Sequence, residues 1–309
     1  MTETTLTLAD LRGQPRRLRT ERLIRTAFFL AALLSVVISA LIVFSLAREA
    51  WTFVSEVAWG TVWQDRGWFP RRGLYDIATL LAGSLIVTVI AMVVAGPIGM
   101  ASAVYLAEYA GPRTRRFLKP ALEVLAGIPS VVVGFFAVAF ISPEIIRRLN
   151  GEAPLFTLAA AGVGVGVLTI PLIASVGEDA MRSVPNALRE ASYGLGARRV
   201  TTTIKVVLPA AVSGIVAAFI LAISRAMGET MVVLLAAGAG GGSARVFDPF
   251  ESGTTMTAAM ASLASGTDAV KGEGLTFQSL FFVGAVLFLI TMLLNIVADR
   301  FVRRVRQKY

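Results

Sequence analysis

The chain has 309 residues, 56% of them hydrophobic and 16% charged, with a formal charge of +9, no histidine and no cysteine. So high an apolar share with no long polar stretch excludes an ordinary soluble domain, and the missing residue types exclude disulfides, Cys/His metal sites and histidine-based triads. Four lysines leave 25 of the 29 basic residues as arginine; they flank apolar runs instead of forming one patch, which fits membrane topology and not nucleic acid.

A basic tail, 1–26, precedes the first apolar run at 27–47. That run is long and has no small-residue cleavage site close behind it, so it reads as an anchor and not as a removed signal peptide. The segment WTFVSEVAWGTVWQDRGWFPRRGLYD follows and holds all four tryptophans, which favour the membrane–water boundary. Further runs lie at 78–106, 121–142, 156–176, 207–237 and 279–298, most of them near the length that crosses a bilayer as a helix. The expectation is an all-α polytopic membrane protein: tail 1–26, a six-helix domain 27–298, and tail 299–309. Gly96-Pro97, Gly127-Ile128-Pro129 and Pro171 interrupt spans two to four, a break tolerated where neighbouring helices satisfy the freed groups. Gly162 and Gly166 form a small-xxx-small pair for close helix contact; the GVGVG around them lacks dinucleotide-binding spacing.

Segments 1–26, 107–120, 177–206 and 299–309 carry 20 basic residues, against eight on 48–77, 143–155 and 238–278. This bias predicts both termini and the 177–206 loop in the cytoplasm, with 238–278 outside. In the outer loop, Met256, Met260 and Leu263 recur at helical spacing and predict a short amphipathic helix.

The cytoplasmic loop reads SVPNALREASYGLGARR from Ser183. Ser183 as cap and Pro185 in the first turn predict a helix start. Val184, Leu188, Ala191 and Leu195 form its apolar stripe, and Gly194 and Gly196 end it. Such a helix lies along the membrane face, joined to a span at each end. Glu190-Ala191-Ser192, then Gly196, then Val206-Val207-Leu208-Pro209 nine residues later resembles the EAA loop of ABC importer permeases, with Ser192 and Val206 as mild departures. The resemblance implies a coupling helix docking on an ATPase, with Glu190, Ala191, Gly196, Leu208 and Pro209 at or bounding that contact. An interfacial helix held by lipid headgroups is the plainer reading.

A wider resemblance rests on YLAEYA at 105–110, LEVLAGIPSVVVGFF at 122–136, EDAMRSVPNALREASYGLGA at 178–197 and SRAMGETMVVLLAAG at 224–238. These look like the phosphate-importer permeases of the PstC/PstA family, and GETM at 228–231 resembles the PstC form. The resemblance implies a MetI-like type I importer fold, a second PstA-like permease, two copies of a PstB-like ATPase and an external PstS-like phosphate-binding protein. None of the four lysines follows a glycine, so no P-loop is visible. ATP and magnesium are expected on the partner ATPase, with no cofactor and no catalytic residue in this chain. Transport of another oxyanion such as molybdate, or a scaffold or signalling role, stays open at this point.

Arg225 is the one basic residue inside a span, and Glu229 follows four residues later. A charge at membrane depth faces a cavity or a partner. Either the two form an i,i+4 ion pair on one helical face, or Arg225 meets an oxyanion in the translocation path, with Glu229 sharing Arg225 so that the anion is not held too tightly to leave, and Ser224 and Thr230 as added hydroxyl donors. The resemblance implies the second.

Overall fold

The computed structural model describes residues 15–238, 247–265 and 274–305. Residues 1–49 and 50–309 form separate contact units. Helix α1 (Pro15–Glu56) starts in the first; there its large apolar side chains, such as Phe28, Leu34 and Ile42, are exposed. A helix with apolar residues all round suits a hydrocarbon solvent.

In the second unit, α1 ends against a small cap. Strands β1 (Trp68–Phe69) and β2 (Leu74–Tyr75) pair antiparallel, Trp68 with Tyr75 and Phe69 with Leu74. Gly73 closes the turn between them at φ +70, where a side chain would be strained. This pair is a small departure from the all-α expectation. Trp68 is also buried, against Tyr75, whereas Trp51, Trp59 and Trp63 are exposed as boundary tryptophans.

The bundle follows: α2 (Ile77–Tyr109), α3 (Pro112–Ala126), α4 (Ser130–Leu149), α5 (Leu158–Arg182), α6 (Asn186–Gly194), α7 (Arg199–Met227), α8 (Met231–Ala236), α9 (Met256–Ala264) and α10 (Thr276–Val305). Among the described residues six helices are long and apolar enough to cross a membrane. Helix starts are capped from the sequence: Asp76 accepts from Ala78 N and from Thr79 Oγ1, Thr157 from Ala160 N and Thr255 from Ala258 N. Each satisfies donors that the first helical turn leaves free.

The interruption expected at Gly127-Ile128-Pro129 is present: α3 stops at Ala126 and α4 restarts at Ser130. Pro97 and Pro171, expected to interrupt spans two and four, instead lie inside continuous helices, where only one backbone donor is lost. The run read as 207–237 is split, with α7 ending at Met227 and α8 starting at Met231, at the polar stretch of Gly228, Glu229 and Thr230. The expected outer-loop helix is α9, but Met256 and Leu263 are buried; it packs into the cluster of Phe53, Tyr75, Leu80 and Phe282. Parts of that loop, 239–246 and 266–273, lie outside the described residues.

The core is the α2–α5 interface, and its glycines set the spacing. A Cβ on Gly162 would meet Ile90 Cβ at 2.7 Å, and one on Gly166 would meet Val94 Cβ at 3.0 Å. Both glycines therefore serve close packing, as expected. Three π turns widen helices, at Tyr105–Tyr109 in α2, Ala137–Ile146 in α4 and Thr203–Val207 in α7. The last leads into the regular α-helical part of α7, Leu208–Met227, with Pro209 in its first turn, where the wide turn before it accommodates the proline ring and its missing donor.

Candidate functional site

At one end of the bundle, α6 lies across the ends of α2, α5 and α7. Its start is not capped by Ser183, which instead ends α5 and donates to Ala180 O; Pro185 precedes the first turn. Its end is the predicted glycine stop. Gly196 has φ +79, its N–H donates to Tyr193 O, and Ala197 N–H donates to Ser192 O. That pairing is a Schellman stop, and it requires a left-handed residue at Gly196.

The apolar stripe is half used. Val184 and Leu188 pack with Ala103, Met181, Val207, Leu208 and Ala211. Ala191 and Leu195 instead face outward, Leu195 at 89% exposure, beside exposed Tyr193 and Val200. Glu190 is exposed as well. So α6 is fixed to the bundle by its first half and presents a carboxylate and apolar side chains with its second half.

Two buried carboxylates fasten this end, and the sequence reading missed both. Glu108, in the π turn of α2, accepts from Arg189 Nη2 at 2.8 Å and Nε at 3.2 Å. Glu178 of α5 has a fully buried side chain; it pairs with Arg115 and, at 3.3 Å, with Lys119, both on α3. The Lys119–Glu178 approach lacks hydrogen-bond geometry, so Glu178 Oε2 carries a charge contact and no hydrogen bond. Lys119 also donates to Asp179 at 2.8 Å, and this bond chiefly raises its pKa above the ordinary lysine value. Their one sequence signal is a carboxylate at the end of an apolar run.

Arg225 and Glu229 do not share a helical face. Helix α7 stops at Met227 and Gly228 caps it, which leaves Glu229 and Thr230 in the break before α8. Among the described residues neither Arg225 nor Glu229 makes an ion pair, so the expected i,i+4 pair is absent. Glu229 Oε1 instead sits 3.5 Å from Val232 N at the start of α8, and its carbonyl accepts from Thr257 Oγ1 of α9. Ser224 Oγ donates to Asn295 of α10 at 3.2 Å, and Thr230 Oγ1 to Gly228 O at 3.3 Å. Arg225 lines a cavity of about 280 Å³ with Glu123 at the end of α3 and Ser175, Leu172 and Pro171 of α5. A guanidinium with planar donors and a hydroxyl thus share one concavity between three helices with a carboxylate, which can only accept. Glu123 had no place in the sequence reading.

Residues 95–309 match the family described as binding-protein-dependent transport system inner membrane component. The phosphate transport system permease protein PstC of Mesorhizobium japonicum is 32% identical over 294 residues, covering 89% of this chain and 88% of that protein. The phosphate transport system permease protein PstA 1 of Mycobacterium tuberculosis (strain CDC 1551 / Oshkosh) is 33% identical over 223 residues, covering 72% and 71%. Among solved structures, an inward-facing form of the MetNI methionine ABC transporter shares the fold, with a TM-score of 0.54 at 22% identity over 74% of this chain and 94% of that one. With six apolar helices, broken spans and an outward-facing helix ended by a glycine stop, the chain belongs to the inner-membrane components of binding-protein-dependent transport systems.

Proposed function

We propose that the chain is one of two permease subunits of an ATP-driven inorganic phosphate importer. The observation that carries this reading is Arg225 in its three-helix cavity, within a chain that aligns along most of its length with a protein named for phosphate transport. The alignment with a PstC extends further than that with PstA 1, so this chain takes the PstC-like place and a PstA-like chain supplies the other half of the pathway. Glu190, Leu195 and the Gly196 stop form the docking face for a PstB-like ATPase dimer, which holds ATP and magnesium. A PstS-like protein delivers phosphate on the opposite side. In this reading both termini and α6 are cytoplasmic and α9 lies towards the outside, as the basic-residue bias requires. Arg225 offers a fixed charge to the anion, and Glu123 keeps that charge from holding it too tightly to leave.

The test is reconstitution of this chain with the second permease, the ATPase and the binding protein in proteoliposomes, with labelled phosphate and molybdate supplied separately. ATP-dependent phosphate uptake that molybdate does not match is the expected result. Molybdate uptake in its place would assign the chain to another oxyanion, and assembly without uptake of either would leave a scaffold.

A further inference from the structure

Helix α6 is continuous through short connections with α5 and α7, so its movement reaches those spans through the backbone. It has no such connection to α2. Besides the apolar packing of Leu188 near Ala103, what joins it to α2 is Arg189, the residue before Glu190. Its Nη2 and Nε both donate to Glu108 Oε1, its Nη2 also to Met181 O at 2.8 Å, and its Nη1 to Val184 O at 2.7 Å. One planar guanidinium thus holds the end of α2, the last turn of α5 and the start of α6 in a fixed geometry. Glu108 is 5% exposed, so the pair is shielded from the water and salt that weaken a surface ion pair. One residue on, α2 is tied to the start of α7 as well: the Arg199 guanidinium lies 5.1 Å from the centre of the Tyr109 ring.

Glu108 and Tyr109 sit in the π turn that ends α2, closed by Ala110 N–H donating to Tyr105 O. A π turn holds more residues than an α turn, and such turns recur at functional sites. From there α2 runs to Gly96, where a Cβ would come within 3.2 Å of Phe219 on α7, the helix that carries Arg225. We propose that Arg189 is a positioning residue that passes movement of the docking helix to α2 through Glu108, so that three spans follow the ATPase and not only the two joined to α6 by the backbone. The inference rests on the reading that α6 docks on an ATPase.

The competing role is local: a buried ion pair whose loss merely leaves a charge unpaired. Neutralising both partners separates the two, because no unpaired charge then remains. In the reconstituted complex, the double variant Glu108→Leu with Arg189→Leu is expected to retain the ATPase on purification. It should import about tenfold less phosphate per ATP hydrolysed. Arg189→Lys should fall between, since it keeps the charge and loses the fork. Unchanged phosphate per ATP in the assembled double variant would overturn the inference, and so would failure of that variant to assemble, which would make the pair a folding element. If the unmodified chain holds no ATPase or imports nothing, the docking reading fails instead, and that is visible before any variant is made.

Discussion

Replacing Arg115 and replacing Glu178 remove the same ion pair, yet the two changes are expected to cost very different amounts. Glu178 has a side chain 0% exposed, whereas those of Arg115 and Lys119 are 27% and 25% exposed. In Glu178→Gln the amide oxygen can still accept from Arg115, and both cations reach water, so the cost is about 1 kcal/mol. In Arg115→Gln a fully buried carboxylate is left with Lys119 alone at 3.3 Å. Breaking a buried pair this way costs roughly 3–5 kcal/mol, and the remaining lysine places this case near about 3 kcal/mol. The difference of about 2 kcal/mol is roughly a thirtyfold change in the folded-to-unfolded ratio, or about 3 °C in melting temperature for a chain of this length. Thermal melts of the purified chain in detergent, followed by circular dichroism, measure it. Equal melting temperatures, or a less stable Glu178→Gln, would refute the argument that the burial of the carboxylate decides the cost.

Glu190→Lys should leave the chain in the membrane but lose the ATPase on purification, since it reverses a charge on the proposed docking face. Gly196→Asp should do the same by forcing a side chain into φ +79, at a cost of roughly 1–2 kcal/mol to the stop that fixes the end of α6; normal uptake in both variants would remove the docking role. Because the chain has no cysteine, single cysteines report topology cleanly. One at exposed Ser252 should react with an impermeant reagent added outside and one at exposed Ser183 should not; the reverse pattern would invert the orientation.

The spans and helix α6 are legible in the sequence because each rests on a local pattern. Runs near 20 apolar residues register through composition alone, and the stop at Gly196 through a glycine that tolerates positive φ. What escapes is set by partners distant in the chain. Arg189 and Glu108 are 81 residues apart and Arg115 and Glu178 are 63 apart, so no periodicity joins them. The i,i+4 reading of Arg225 and Glu229 fails at Gly228, where the helix stops inside the polar stretch SRAMGET, and spacing alone does not show that the helix ends between the two charges. The outward face of Leu195 is likewise hidden, because an apolar stripe shows which side of a helix avoids water and not whether a neighbour covers its whole length.

The most direct measurement is the rate of ATP-driven phosphate uptake by the reconstituted complex carrying Arg225→Gln. The change removes the charge and the planar fork from the cavity shared with Glu123 and Ser175 while keeping a polar side chain of moderate size. Loss of one charge-assisted contact to the passing anion is worth about 1.5–3 kcal/mol, so uptake should fall roughly 10- to 150-fold with the ATPase still bound. Arg225→Lys should lie between the two. Uptake at the unmodified rate by an assembled Arg225→Gln complex would contradict the placement of phosphate at Arg225.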